Sequence, residues 1–334
     1  MLKNDGDDSS MNNKKTIIIA TGGTGGHIFP AEALARKIIQ ADEQQQINIV
    51  VISDKRKADK PESGFKDDLS DIKRYRIFAA GISGRTIWRR FFAYFQLIIG
   101  ILQAAIILYR LRPVVAVGFG GYPCVPTLLA AEFLKIPVVI HEQNAVLGRA
   151  NRLLAKRASR IATSFQTTKF LSENMLGKSE WTGNPVRDDF LAKEYILKGG
   201  KINILVTGGS QGAYFMGDIV PKAFDLLSDD IKCKIHITQQ VRHEQLSAVK
   251  VFYKAANIDA TVVNFIDDMA NQLSKSHLII ARSGASTIAE IIAVGRPAIL
   301  VPLPGSIDGH QMANASYLCD KGGAWLMHQD DCTP

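Results

Sequence analysis

The chain has 334 residues, of which 46% are hydrophobic and 22% charged, with a formal net charge of +8. That length suits two domains with ample core, and the composition excludes a disordered, collagenous or disulfide-framed chain. The four cysteines (Cys124, Cys233, Cys319 and Cys332) form no C-x-x-C pair and read as reduced cytosolic thiols.

Met1 to Lys15 is polar, carries Asp5, Asp7 and Asp8, and contains no secretory signal. Residues 1–14 are expected to form a disordered tail, with Met11 as an alternative start. The first apolar run, Thr16–Ala20, reads as a buried strand that opens into the glycine-rich turn Gly22–His27. Strands are expected next at Ile47–Ser53, Val114–Gly118, Pro137–His141 and Arg160–Thr163. Helices are expected between them at Ala31–Gln40, Ile87–Tyr109, Pro126–Leu134 and Arg149–Ala155.

Gly183-Asn184-Pro185-Val186-Arg187 is turn chemistry and a natural hinge, so the expected domains are residues 15–182 and 183–334. A second apolar run, Ile202–Val206, again opens into a glycine turn, Gly208–Gly212. Strands follow at Lys234–Thr238, Ala260–Phe265, Leu278–Ala281 and Ala298–Val301. The accompanying helices are Ala213–Leu227, His243–Ala256, Met269–Ser276, Ser286–Val294 and His310–Lys321. This alternation predicts two Rossmann-like α/β domains, each with a parallel sheet, and a cleft between them for a nucleotide or phosphorylated substrate.

Charge is uneven along the chain. No acidic residue lies between Asp71 and Glu132, whereas Lys73, Arg74, Arg76, Arg85, Arg89, Arg90, Arg110 and Arg112 do. Such an excess suits an anionic partner: lipid headgroups, a diphosphate or nucleic acid. Inside this span Phe91–Tyr109 carries no charge and is long enough to cross a bilayer. Its place inside a βα alternation argues instead for a core helix. The sharper expectation is a helix that packs on the core, leaves Trp88, Phe91, Phe92 or Phe95 exposed, and meets anionic lipid through the flanking arginines.

The glycine turns carry the chemistry. Gly22–Pro30 lacks the Lys-Ser/Thr pair of a Walker A loop and misses the G-x-G-x-x-G register. A histidine at the start of the following helix, His27, is well placed as a general base, because the positive helix end favours the neutral imidazole. The plainer alternative is a histidine that caps the turn. Gly208–Gly212 offers backbone N–H groups and the Ser210 hydroxyl to a diphosphate, or is an ordinary tight βα turn. In Arg282–Glu290 small residues let a nucleotide approach the backbone, and Glu290 can accept two ribose hydroxyls unless it is simply an exposed helical glutamate. Asp308–Ala315 and His141–Asn144 lie at the carboxyl edges of the two sheets, where ligands bind. Neither forms H-E-x-x-H, and no metal site is expected.

Together these segments resemble the MurG family, the bacterial UDP-N-acetylglucosamine transferases of glycosyltransferase family 28 that complete lipid II. The resemblance runs from Ile17 to Trp325. It rests on GGTGGHIFP, GFGGYP (Gly118–Pro123), HEQN, GNPVR, GGSQGA (Gly208–Ala213), FIDDM (Phe265–Met269), RSGASTIAE and DGHQMANA, in that order. It implies a GT-B fold, with UDP-GlcNAc as co-substrate on the second domain, lipid I against the first, and no cofactor, metal or nucleic acid. By motif match Thr24, Gly25, Gly26 and Asn144 would contact sugar or acceptor from the first domain, and Arg187 and Ser210 would hold the diphosphate. Ile266 would neighbour the uracil. Ala285, Ser286, Thr287, Ile288, Ala289 and Glu290 would bind the nucleoside, Gln311 would read the GlcNAc hydroxyls, and His27 would be the base. The reaction implied is an inverting displacement of UDP by the muramyl 4-hydroxyl at the cytoplasmic face of the inner membrane.

Two rival functions remain open to the sequence. A nicotinamide-dependent oxidoreductase would use Asp54, at the end of the second strand, as its ribose-binding acid. A UDP-sugar- and lipid-binding protein of low activity is the other, because the family pattern continues past Ala324–Met327 with helices that this sequence, ending at Pro334, does not carry. Lacking them is expected to expose apolar surface and to lower stability and turnover.

Overall fold

A computed structural model describes residues 14–22, 25–54, 69, 71–79, 87–195, 200–209 and 213–334, with 87–93 described as backbone only. The chain forms two compact units. The first runs to Gln143 and takes in Leu147–Gln166 and Phe170–Pro185. The second is Val186–Pro334 together with Asn144–Val146 and Thr167–Lys169.

The first unit is a seven-stranded sheet, wholly parallel, in the order β3-β2-β1-β4-β5-β6-β7. Its strands are β1 (Lys15–Ala20), β2 (Ile47–Asp54), β3 (Lys73–Ile77), β4 (Val115–Gly118), β5 (Val138–Glu142), β6 (Arg160–Thr163) and β7 (Ser179–Trp181). Its helices are α1 (Gly25–Ala41), α2 (Ile87–Leu111), α3 (Cys124–Phe133), α4 (Arg149–Ala155) and the single turn α5 (Glu173–Leu176). Alternation along β1 explains the two-sided burial. Ile18 and Ala20 pack with Ala104, Leu108, Leu128 and Leu154 beneath α2, α3 and α4. Ile19 and Ile17 turn the other way, with Ala31 and Ala35 of α1.

Strands β3 and β7 were not anticipated. They are the two edges of the sheet, and their sequences, KRYRI and SEW, lack the apolar run that marks a central strand. Helix α1 begins at Gly25, six residues before its expected start at Ala31. Pro30 lies inside it, where the missing N–H removes the helical donor to the Gly26 carbonyl.

Helix α2 divides its apolar residues between two faces. Ala104 and Leu108 are fully buried, and Gly100 lies so close to the Phe78 backbone that a Cβ would sit 2.0 Å from the Phe78 carbonyl oxygen. Tyr94, Phe95, Ile98, Leu102, Ile106 and Tyr109 are each more than half exposed and recur at helical spacing along the other side. Phe95 is therefore exposed as anticipated; the side chains of Trp88, Phe91 and Phe92 lie outside the described residues.

The second unit repeats the plan with six parallel strands in the order β10-β9-β8-β11-β12-β13. These are β8 (Ile202–Thr207), β9 (Ile235–Gln240), β10 (Ala260–Val263), β11 (Leu278–Ala281), β12 (Ala298–Leu300) and β13 (Ala324–Leu326). Its helices are α6 (Tyr214–Asp225), α7 (Asp229–Lys232), α8 (Leu246–Ala255), α9 (Met269–Lys275), α10 (Ala285–Val294) and α11 (His310–Asp320). Each sheet reverses its strand order once, between β1 and β4 and between β8 and β11. The carboxyl ends of those strand pairs are where an open α/β sheet binds ligands.

Candidate functional site

Both glycine turns lie at a reversal point. In the first unit His27 is the third residue of α1 and half-buried. Glycines wall its ring on several sides. A Cβ on Gly22 would stand 3.1 Å from His27 Cδ2, one on Gly120 3.4 Å from Cε1, and one on Gly121 3.4 Å from Nε2. Gly120 and Gly121 also have φ of +79° and +74°, which a side chain would strain. Behind them the Cys124 Sγ donates to the carbonyls of Ala20 and Gly120, at 3.0 and 2.8 Å. Burial pushes this thiol up to about 12, so it ties the turn to the end of β1 and is no nucleophile.

His27 is tied to the end of β5. Its Nδ1 lies 3.1 Å from Gln143 Oε1, and Gln143 Nε2 lies 3.0 Å from both the Nδ1 and the carbonyl oxygen of His141. His141 Nε2 in turn faces the Gly183 carbonyl oxygen at 3.0 Å. His141, Glu142 and Gln143 are all buried. Burial holds the His141 pKa below the usual histidine range, against the opposing pull of the Gly183 carbonyl and Glu142. Glu142 Oε2 accepts from Gly148 N and from Asn151 Nδ2, both at 2.8 Å, and so anchors the start of α4.

In the second unit the site gathers around α10. This helix starts behind Gly284 with no side-chain cap and no acid in its first turn, so its first N–H groups remain as anion donors. The Ser286 Oγ is buried with no hydrogen-bond partner among the described residues. Glu290, half-buried near the middle of the helix, has its pKa pushed up to about 7. Burial is the main cause; Arg187 pulls the value down and Asp189 pushes it up. The Arg187 guanidinium stacks on Phe190 at 5.0 Å, with Nε 3.9 Å from Asp189 Oδ1. Ile266 is buried, and the Ile288 side chain is sealed in the core, which leaves only the Ile288 backbone to a ligand.

Helix α11 adds amides. Gln311 Oε1 accepts from Leu303 N at 2.9 Å, and the Gln311 carbonyl accepts from Ser283 Oγ at 2.8 Å. Asn314, fully buried, donates through Nδ2 to the Ser283 carbonyl and to Asn144 Oδ1, both at 3.1 Å, and accepts from Ala145 N at 2.8 Å. Asn144 thus packs in the second unit, whereas the motif reading grouped it with the first.

The structure therefore brings Gly25, Gly26 and His27 together in the first turn of α1, and sets Arg187 near enough to Glu290 on α10 to pull its pKa down. Thr24 and Ser210 lie outside the described residues. Among the described residues no group of three or more His, Cys, Asp or Glu is arranged to hold a metal ion. Sequence reasoning missed Gln143, His141 and Asn314. Only the placing of HEQN and DGHQMANA at sheet edges hinted at them, and their partners lie far off in sequence.

The two halves match two family models: the glycosyltransferase family 28 N-terminal domain over residues 17–163 and its C-terminal domain over residues 203–334. The chain is 45% identical over 322 residues to the UDP-N-acetylglucosamine--N-acetylmuramyl-(pentapeptide) pyrophosphoryl-undecaprenol N-acetylglucosamine transferase of Rhodospirillum centenum, covering 95% of this chain and 82% of that protein. The chain belongs to the MurG family of glycosyltransferases. The Rhodospirillum rubrum protein of the same name is 46% identical over 324 residues, covering 95% of this chain and 80% of that one. The crystal structure of Acinetobacter baumannii MurG aligns with a TM-score of 0.73 at 31% identity, covering 96% of this chain and 87% of that one. Two parallel-sheet α/β domains of GT-B type are thus the family 28 architecture, and the chain is a glycosyltransferase. The oxidoreductase alternative falls with this result. Asp54 does end β2, but it does so in a MurG-family chain.

Proposed function

We propose that this chain transfers N-acetylglucosamine from UDP-N-acetylglucosamine to the muramyl 4-hydroxyl of lipid I, with inversion, giving lipid II for peptidoglycan synthesis. The observation that carries this reading is 45% identity over 95% of the chain to a transferase named for that donor and that undecaprenol-linked acceptor. The second unit takes the donor. Glu290 accepts from the ribose hydroxyls, Ala285–Ala289 line the nucleoside, with the Ser286 hydroxyl, which has no partner among the described residues, in their midst, and Ile266 sits beside the uracil. Arg187 and Ser210 hold the diphosphate without a metal or cofactor, and Gln311 reads the sugar hydroxyls. Thr24, Gly25, Gly26 and Asn144 contact the acceptor or the transferred sugar.

The chemistry follows from charge. As the acceptor oxygen bonds to the anomeric carbon, the bond to UDP breaks and negative charge grows on the diphosphate. Arg187 and helix N–H groups already in place stabilise that charge where it develops. His27 takes the acceptor's proton, a contribution of roughly 10²–10⁴ in rate. Alignment of the two substrates is expected to supply most of the rest.

The acceptor is lipid-linked, and the first unit has a surface to suit it. The exposed apolar stripe Phe95–Tyr109 of α2 is flanked by the exposed Arg110 and Arg112, with the exposed Lys73, Arg74 and Arg76 on β3. This surface, with the opposite side of α2 packed in the protein core, supports peripheral binding rather than a bilayer span, and we place the protein on the cytoplasmic face of the bacterial inner membrane as part of this proposal. The test is UDP release with UDP-N-acetylglucosamine and a soluble lipid I analogue. Release that depends on the acceptor is expected. Donor hydrolysis alone, or retention on an NAD matrix rather than a UDP matrix, would overturn the assignment.

A further inference from the structure

We infer that Gln143 is a positioning residue that fixes the tautomer of His27, holding the proton on Nδ1 and the lone pair on Nε2. The argument starts at two backbone carbonyls, which can only accept. The Gly183 carbonyl lies 3.0 Å from His141 Nε2, so His141 carries its proton there. His141 is neutral, because burial lowers its pKa, and its Nδ1 is therefore an acceptor. Gln143 has its amide nitrogen 3.0 Å from that Nδ1 and equally 3.0 Å from the His141 carbonyl oxygen. Both neighbours demand a donor, so the NH2 end of the amide faces them and Oε1 faces the other way. There it meets His27 Nδ1 at 3.1 Å, and an amide oxygen can only accept. His27 must donate from Nδ1.

The direction of the whole chain of hydrogen bonds is thus set by the backbone. His27 Nδ1–H donates to Gln143, Gln143 donates to His141, and His141 Nε2–H donates to Gly183. The nearest substitutes at position 143 leave a partner unsatisfied. A carboxylate would accept from His27 but turn lone pairs on the His141 carbonyl and Nδ1, asparagine is one methylene short, and methionine offers neither donor nor strong acceptor. The glycine wall fits the same geometry. A side chain on Gly121 would press on His27 Nε2, and one on Gly120 would stand 3.4 Å from His27 Cε1 and 3.6 Å from Gln143 Oε1.

The catalytic consequence rests on the reading of His27 as the base; the tautomer does not. With Nδ1–H held by Gln143, Nε2 is the atom that takes the acceptor's proton, and the hydrogen bond at Nδ1 stabilises the imidazolium that forms. Imidazole ¹⁵N correlation spectra of the full chain test this, and the chain's seven histidines make assignment tractable. The wild type is expected to show His27 protonated on Nδ1 and His141 protonated on Nε2. Gln143→Met is expected to release His27 into a mixture of tautomers. Its kcat should fall at least tenfold while KM for UDP-N-acetylglucosamine stays within twofold, and the acidic limb of kcat should move to lower pH.

A wild-type His27 protonated on Nε2 overturns the inference, and needs no variant to fold. So does a Gln143→Met protein that keeps the Nδ1–H signal. Failure of the base reading looks different: His27→Ala would retain kcat while the wild-type spectrum still shows the Nδ1–H form.

Discussion

Two strand–turn–helix units, β1 with α1 and β11 with α10, are the same device left in different states. In both, an apolar strand ends at the reversal point of a parallel sheet and a helix begins beyond it. At the first turn the polar groups are satisfied within the unit: His27, Gln143, His141 and Gly183 form one directed series of hydrogen bonds. Around α10 they are not. The Ser286 hydroxyl is buried without a partner among the described residues, and Glu290 is a carboxyl whose burial favours the neutral form. The contrast suits the proposed roles: a base, as His27 is proposed to be, is best oriented before substrate arrives, with its hydrogen bonds built in advance. A binding pocket gains affinity when the ligand satisfies groups that the folded chain leaves wanting.

The largest test of that contrast is His27→Ala. Turnover should drop by roughly 10²–10⁴ while calorimetry finds UDP affinity unchanged, since the proposed donor groups lie in the other unit. A matching loss of UDP affinity would erase the division of labour. Glu290→Ala should act in reverse. Its UDP dissociation constant should rise about tenfold or more, because hydrogen bonds to a charged group contribute about 1.5–3 kcal/mol. Calorimetry within error of wild type would remove Glu290 from the ribose.

A pH series sharpens the comparison further. The Glu290 carboxyl titrates at about 7 in the folded chain against an ordinary 4.5. From pH 4.5 upward the unfolded chain ionises first, so this group's cost to stability grows through that window and is complete above 7, at up to about 3 kcal/mol. Glu290→Gln should therefore match wild type in denaturant melts near pH 4.5 and exceed it near pH 8. Uridine, which carries no phosphate to titrate, should bind wild type several-fold more tightly at pH 8 than at pH 6, and the variant equally at both. The smallest effect belongs to the outer face of α2. Leu102→Glu with Ile106→Glu should weaken sedimentation with anionic vesicles and leave turnover on a soluble acceptor within about twofold. Vesicle binding that ignores both changes would make this stripe an ordinary surface.

Much of this molecule is legible in one dimension. Buried parallel strands are continuous apolar runs, so β1, β2, β8 and β11 announce themselves. Gly22–His27 and Gly208–Gly212 do so as well, because close backbone approach needs glycine wherever it occurs. The edge strands β3 and β7 escape, since an edge needs little apolar sequence and its pairing depends on the neighbour already being there.

Residue type and position thus suffice to mark His27 as a candidate base and Glu290 as a candidate ribose acid. Which nitrogen of His27 holds the proton was beyond any local pattern, because Gln143 stands 116 positions away and the Gly183 carbonyl that orients its partner His141 is 42 positions further from that histidine. The raised pKa of Glu290 was equally hidden, since desolvation belongs to whatever packs around a carboxyl. The sequence by itself determined the strand–turn–helix units and the residue types at their ends, which follow from local periodicity and backbone freedom. Only the tertiary structure decided protonation, orientation and the grouping of Asn144 with Asn314, because those depend on atoms that folding alone brings within hydrogen-bonding distance.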